Sequence, residues 1–397
     1  MFSIIIPMFN GEKTIDRCLQ SILRQTCRDY EIIVIDDGSQ DKGVDIVERL
    51  SEKDSRIRLI RSRHKGVVFS RRKGVRESRG EHVLFVDCDD TLGDGALMHF
   101  KDLVDKFDAD VISAKAWIVD EKGRCMSSIQ RSLGNGLYTG DKLEQLYSVM
   151  MFDESIGAEG VVGAVWSTLF KKGLLNQSII LGIPEQISYG EDAAIVYISL
   201  LNAKSVYLDD KHVYNYYRNN GSSSNSPRVS SFLEIGIFYD YMKGIFEQYN
   251  EFQLERQLKI YTCALLRMAL NSNFPFEFLS EYSLPKADEN IIKDKTVIIH
   301  GVGKVGKSIY RYISGRGLCQ KIMLVDRNKE GCMFEGIHIH SESLYGEGCP
   351  YDYVIIANAE KDVRNVIRED LVERGVAEEK ILVSNPQKSE LRWDICV

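Results

Sequence analysis

A chain of 397 residues, 44% hydrophobic and 27% charged, exceeds one typical domain and carries ample apolar content for buried cores, so two domains are expected and a disordered chain is not. Its net charge of −7 argues against a general nucleic-acid binder, because phosphate contacts need clustered Lys and Arg to release counterions. Nine scattered cysteines without C-x-x-C pairing, no secretory leader pattern and no apolar run near the ~20 residues of a membrane helix point to free thiols in a reducing, cytoplasmic setting.

In chain order, a strand over 3–6 and a turn over 7–11 lead into a helix from about 12 to 25, with Ile15, Leu19, Ile22 and Leu23 at helical spacing. A strand over 31–35, a helix over 43–52, a strand over 57–60, a helix over 69–78 and a strand over 82–86 continue a βα alternation, which predicts right-handed crossovers and a mainly parallel sheet. The pattern loosens over 108–165 into a strand over 111–113, Gly- and Ser-rich loops and a helix near 141–151. An apolar helix over 193–201, a short strand over 205–208, an aromatic segment over 214–218 and a polar loop over 219–226 follow. Two amphipathic helices, 230–248 and 251–271, are expected to pack on the first domain, and 274–293 reads as a linker. A second βα series begins with a strand over 296–300 and continues near 322–325, 353–357 and 381–383. The expected fold class is α/β, with a sheet domain over 1–229, a helical extension and linker over 230–293 and a smaller α/β domain over 294–397.

Three acidic clusters carry the chemistry. Asp36 and Asp37 follow the apolar run Ile32 to Ile35, Asp87, Asp89 and Asp90 follow Val83 to Val86, and Glu191 and Asp192 precede an apolar helix. Carboxylates just past buried parallel strands sit at the carboxyl edge of an open sheet, where the fold leaves a ligand crevice. An acid-lined crevice repels an anion unless a divalent cation bridges them, so metal plus diphosphate is the first hypothesis, with a nucleotide as the diphosphate carrier. Structural alternatives exist for each: Asp36 or Asp37 capping the helix near Gly43, and Glu191 and Asp192 complementing a helix macrodipole.

Ser3 to Asn10 (SIIIPMFN), Asp36-Asp37-Gly38-Ser39, Asp87-Cys88-Asp89-Asp90 and Gly190-Glu191-Asp192, in this order and spacing, resemble family 2 glycosyltransferases of the GT-A fold over roughly the first 220 residues. Softer features are Val165-Trp166 to Phe170-Lys171 and Tyr214 to Arg218 followed by Gly221-Ser222. The resemblance implies an inverting transferase taking a sugar from a nucleotide-sugar donor, UDP-linked in the family's manner, to a glycan or lipid-linked glycan acceptor in cell-surface polysaccharide biosynthesis. It implies Mn²⁺ or Mg²⁺ on Asp89 with Asp87 beside it, and Asp192 as general base with Glu191 as its neighbour. Donor contacts would come from Pro7, Phe9, Asn10, Asp36, Asp37, Arg71, Asp87, Asp90 and Arg218, with Asp90 either orienting the sugar or supporting the ligands from behind, and Arg218 either closing with Ser222 to Ser224 over the diphosphate or lying in a disordered surface loop. The family's Ala-Arg-Asn reads Ser70-Arg71-Arg72 here, which leaves Arg72 without an assigned role. Trp166 is read as core or as a wall of the sugar pocket.

From Arg56 to Arg79 ten Lys or Arg face one acid, Glu77. This is a solvated basic face or a contact for substrate phosphates or an anionic membrane, so peripheral attachment at the inner membrane face stays open, as does homo-oligomerisation. Gly301, Gly303 and Gly306 form a G-x-G-x-x-G run between a strand and a helix, with Asp326 ending the next strand as a ribose-binding acid would. The region is similar to Rossmann-like domains of nucleotide-sugar-modifying proteins, which implies a bound nucleotide or NAD(P); the alternative is glycines that serve only tight packing. His300, His338 and His340 lack neighbouring ligands at metal spacing. Other readings are an NAD-dependent nucleotide-sugar oxidoreductase or epimerase, which needs a Tyr/Lys pair beside Gly301, and a nonenzymatic sugar-nucleotide sensor.

Overall fold

The computed structural model describes residues 1–175, 179–218, 228–249, 252–273, 282–345 and 350–388. The chain divides into two compact units, Met1–Phe274 and Pro275–Val397. The first contains β1 (Phe2–Met8), α1 (Ile15–Leu23), β2 (Tyr30–Asp36), α2 (Gly43–Ser51), β3 (Ile57–Arg61), α3 (Val67–Glu77), β4 (His82–Phe85), β5 (Thr91–Leu92), α4 (Ala96–Phe107) and β6 (Val111–Val119). It continues with β7 (Cys125–Ser128), β8 (Gly136–Thr139), α5 (Asp141–Tyr147), β9 (Thr168–Lys171), α6 (Ile179–Gly182), α7 (Glu191–Asn202), β10 (Ser205–Tyr217), α8 (Ser231–Phe246) and α9 (Leu254–Asn273).

The main sheet runs β3-β2-β1-β4-β9-β6-β10-β5. Its β3, β2, β1 and β4 are parallel, as are β6 and β10, and β9 is inserted antiparallel between β4 and β6. The unit is therefore mixed α/β with a mainly parallel sheet flanked by helices. Strands this apolar are covered on both faces. Ile4, Ile6 and Met8 point into a core shared with α1, α2 and α4, and Ile5, with the opposite parity, into a core shared with α3, α7, α8 and α9. The two amphipathic helices expected to pack on the first domain do so through Phe238, Met242, Leu258 and Leu265.

The differences from the sequence reading have local causes. Helix α4, absent from the sequence reading, carries Leu97, Phe100 and Leu103 inward and opens on Gly95, at φ +70°, without a side-chain cap. The expected short strand over 205–208 is a 13-residue strand that absorbs the aromatic segment, because irregular register between Leu208 and Tyr214 keeps β10 paired to β6 to its end. The polar loop over 219–226 lies outside the described residues.

The second unit holds β11 (Tyr282–Ser283), α10 (Lys286–Ile292), β12 (Thr296–His300), α11 (Lys304–Gly315), β13 (Lys321–Val325), β14 (Met333–Phe334) and β15 (Ile337–His340), then β16 (Tyr353–Ile356), α12 (Lys361–Glu373), β17 (Ile381–Leu382) and β18 (Gln387–Lys388). The stretch read as linker thus contains β11 and α10. Five parallel strands lie in the order β15-β13-β12-β16-β17, with β14 antiparallel at the edge, and separate apolar cores cover the two faces.

Helix α3 lies hard against β1. A methyl group on Gly74 would overlap the side chain of Ile5, and Arg71, one turn earlier, is thereby carried inside. Gly74→Ala is expected to destabilise the unit by about 1–3 kcal/mol, overpacking outweighing alanine's better helix propensity; the midpoint of urea unfolding measures it.

Candidate active site

Parallel register brings the acids to one edge of the sheet. Met8 at the end of β1 pairs with Asp36 at the end of β2, Ile5 pairs with Phe85, and Asp87 follows β4. Glu191 and Asp192 open α7 after Gly190, whose φ of +95° is natural for glycine. A Cβ at Gly190 would meet the Phe238 ring at 3.0 Å, so α8 presses on the turn that carries the pair.

Arg71 ties these segments together. Its guanidinium is 2% exposed and reaches Asp87 Oδ1 from Nη2 at 3.1 Å, and Glu191 Oε1 at 3.2 Å and Asp192 Oδ1 at 2.5 Å from Nη1. Burial opposes the guanidinium charge, but the three carboxylates overturn that and hold its pKa above the ordinary arginine value. Burial likewise pushes the Asp192 carboxyl up to about 8, with Arg71 pulling the other way and Glu191 and Asp87 adding repulsion. Glu191 is raised for the same reasons. Arg71, expected at the donor, lies buried against these acids. Arg72 braces the neighbouring segment, with Nη1 on Glu185 at 2.9 Å and Nη2 on the Ile183 carbonyl at 2.7 Å.

Asp89 is raised to about 6, by burial and then by the charge of Asp87. Two carboxylates that repel each other and offer hard oxygens suit Mg²⁺ or Mn²⁺. Among the described residues no group of three or more His, Cys, Asp or Glu could hold an ion, so a cation there would need ligand oxygens from a bound diphosphate or water. Arg17 is a neighbour that sequence reasoning missed. It donates to the Asp89 carbonyl at 2.5 Å and stacks on the Tyr217 ring at 3.6 Å. An arginine on an otherwise ordinary helix face carried no signal.

Asp90 lies inside the fold. It is 1% exposed and accepts from the Tyr217 N–H at 2.7 Å and the Tyr214 hydroxyl at 2.9 Å, while that hydroxyl accepts from the Asp87 N–H at 3.1 Å. Both oxygens are used inside the fold to clamp the end of β10 to the turn that bears Asp87 and Asp89. Trp166 belongs to the core, stacked on Tyr214 at 4.9 Å. Arg218 donates its N–H to the Val119 carbonyl at 3.0 Å, and its side chain is exposed at the same edge of the sheet. Gly221 and Ser222 lie outside the described residues.

At the other end of the acid row, Asp36 accepts from the Ser39 N–H at 3.0 Å, and Asn10, at φ +54°, accepts from the Gln40 N–H at 2.9 Å. Asp37 takes the N–H groups of Lys65 and Gly66, each at 2.8 Å, and the His64 ring at 2.9 Å. Its carboxylate thus latches the loop before α3. Neither aspartate caps α2, whose Gly43 N–H goes to Asp41 at 3.0 Å. The latch sets His64 on Phe9, ring centroids 4.3 Å apart. Both rings are open to solvent, Phe9 at 46%. Pro7 lies in β1 beyond the residues that pair with β4, where its missing N–H is tolerated.

The basic stretch is half neutralised. Arg56, Arg58, Arg61, Arg71 and Arg72 all face carboxylates. No helix among the described residues is long and apolar enough to cross a membrane.

In the second unit a Cβ on Gly306 would collide with the Gly301 carbonyl, so this glycine is required by close helix-to-strand approach. Asp326 does stand beside the loop, but its carboxylate accepts from the Val302 N–H at 2.7 Å and the Asn328 N–H at 2.9 Å, and Lys329 covers the Val302 carbonyl at 2.5 Å. Asp326, expected to meet a ribose, thus braces its own glycine loop. Gly303 starts α11 with nothing within 4 Å of its missing Cβ. Lys286 is turned to Glu289 at 3.0 Å.

Residues 3–157 match the family model described as glycosyl transferase family 2, and residues 293–382 match one described as C2185-like, N-terminal. The chain is 27% identical over 227 residues to the uncharacterized glycosyltransferase EpsJ of Bacillus subtilis, covering 57% of this chain and 64% of that protein. It is 28% identical to the cholesterol galactosyltransferase of Borreliella burgdorferi over 64% of this chain and 72% of the relative. Against the poly(ribitol-phosphate) beta-glucosyltransferase of Bacillus spizizenii it is 27% identical over 72% of this chain and 42% of the relative. Staphylococcus aureus TarS 1–349, solved in complex with UDP-GlcNAc, superposes with a TM-score of 0.52 at 21% identity, covering 70% of this chain and 74% of that one. The N-terminal unit therefore has the GT-A fold, and its residues 3–157 match glycosyl transferase family 2.

Proposed function

We propose that this chain is an inverting, metal-dependent glycosyltransferase that moves a sugar from a UDP-linked donor to a glycan or lipid-linked glycan acceptor in cell-surface polysaccharide assembly. The observation that carries the reading is the convergence of Asp87 and the Glu191-Asp192 pair, the latter 120 residues from Arg71 in sequence, on that one buried guanidinium. The family match of residues 3–157 and relatives named for glucosyl and galactosyl transfer support it.

Each need of the reaction then has a residue. The exposed Phe9 and His64 rings offer a stacking face for a nucleobase, with Pro7, Asn10 and Asp36 shaping the turn around it. Asp89 and Asp87 would hold Mn²⁺ or Mg²⁺, which would offset negative charge on the departing diphosphate. Arg218 lies where a planar donor fork could meet phosphate. Asp192 accepts the acceptor hydroxyl's proton as its oxygen attacks the anomeric carbon from the side opposite the diphosphate. Its burial suits a base, since a carboxylate raised towards neutrality binds a proton better than an exposed one.

For the second unit we propose a weaker role in nucleotide recognition, supported by the β15-β13-β12-β16-β17 strand order and the Gly301 to Gly306 crossing. The bracing of Asp326 disfavours a dinucleotide, and no step of the reaction depends on one.

A panel of nucleotide sugars assayed with and without Mn²⁺ for release of nucleoside diphosphate tests the reading. Asp89→Asn should abolish release while leaving the thermal unfolding temperature near that of the wild type; near-normal turnover would remove the metal-dependent mechanism. Asp192→Asn should lower kcat about 10²- to 10⁴-fold, as loss of a positioned base does. The sign of the pH dependence follows from burial: Asp192 is protonated below its raised pKa, so kcat should fall as pH drops below about 8. That acid limb should vanish in the residual activity of Asp192→Asn.

A further inference from the structure

Arg71 stands behind the reacting groups and not among them. Its side chain is 2% exposed, its ζ carbon lies 5.9 Å from the Phe85 ring centre, and its Nε is buried without a hydrogen-bond partner. Its two remaining nitrogens divide their work between elements: Nη2 hydrogen-bonds Asp87, which follows β4, and Nη1 hydrogen-bonds Glu191 and is ion-paired with Asp192 Oδ1, the two acids that open α7. A guanidinium is a planar fork whose Nη1 and Nη2 keep a fixed separation, so partners gripped by different prongs keep a fixed relation to each other. A lysine ammonium is a point charge on a flexible stem and cannot impose that relation. The backbone is equally constrained, because Gly74 lets α3 approach Ile5 closely and Arg71 is carried in on the same helix.

Resting on the transferase reading above, we infer that Arg71 is the positioning residue of the reaction: it holds the base Asp192 in register with the metal-motif acid Asp87, while touching neither donor nor acceptor. Misplacing a reacting group by an ångström can cost on the order of 10²-fold in rate, so the loss on weakening this fork belongs to kcat. Donor affinity is set elsewhere, at Phe9, His64 and the metal motif.

The test combines a double-mutant cycle with a binding measurement. Arg71→Lys should lower kcat about 30- to 300-fold in the parent enzyme, yet only about threefold or less in an Asp192→Asn background, because groups that act as a unit are strongly non-additive. The affinity of Arg71→Lys for UDP in the presence of Mn²⁺, by calorimetry, should stay within about threefold of the parent, as expected when uniform binding is untouched. A tenfold or greater loss of UDP affinity with kcat preserved would make Arg71 a donor contact. Equal costs of Arg71→Lys in both backgrounds would make it a fold scaffold only. If Arg71→Lys proves unfolded by its melting curve, Glu191→Gln loosens the same fork from outside. It must then reduce kcat by about tenfold or more with UDP affinity retained, and a Glu191→Gln enzyme with parental kcat overturns the inference. The single variants Asp89→Asn and Asp192→Asn judge the transferase reading by themselves, so the two can fail independently.

Discussion

A single buried positive charge organises the N-terminal unit. Three carboxylates crowded at the edge of a sheet would repel one another and either take up protons or move apart. Arg71 stands behind them and lets them coexist in a region largely withdrawn from water. Breaking such a cluster from one side leaves an uncompensated buried charge, which is why the groups around it are so constrained. Gly74 allows the helix carrying Arg71 to press on β1, and Phe238 presses on Gly190 from the opposite side.

The same economy runs through the rest of the site. Asp37 and Asp90 share motif positions with the acids proposed to react, yet each spends its oxygens on backbone N–H or tyrosine hydroxyl groups. They hold the loops from which the reacting groups project. Asp37 sets the loop that lays His64 on Phe9, and Asp90 ties the end of β10 to the turn bearing Asp87 and Asp89. A motif is thus a mixture of groups that face the ligand and groups that shape the turn, and exposure separates the two classes where spelling does not.

The second unit shows the same division. Its glycines stand where a phosphate-cradling loop would have them, and Gly306 is required by the Gly301 carbonyl beneath it. The acid at the end of β13, however, is turned on the loop itself. A fingerprint of glycines records how closely a helix approaches a strand, whereas binding depends on what the neighbouring side chains leave free.

Much of the fold was legible because apolar runs alternate with helical periods and end in acids: β1 to β4, α7, α8, α9 and β12 all follow from that pattern, and so does the placement of Asp36, Asp87 and Glu191 at element ends. Periodicity is a local property, so it survives in the sequence. Helix α4 was not read although Leu97, Phe100 and Leu103 recur at helical spacing, and the full length of β10 was not legible, its irregular register being sustained by a neighbouring strand. The sequence by itself determined an α/β chain with acids at the carboxyl edge of a parallel sheet. Only the tertiary structure decided which of those acids are free to act, and that Arg71 stands behind them, because ion pairing and burial depend on residues far apart along the chain and adjacent only in space.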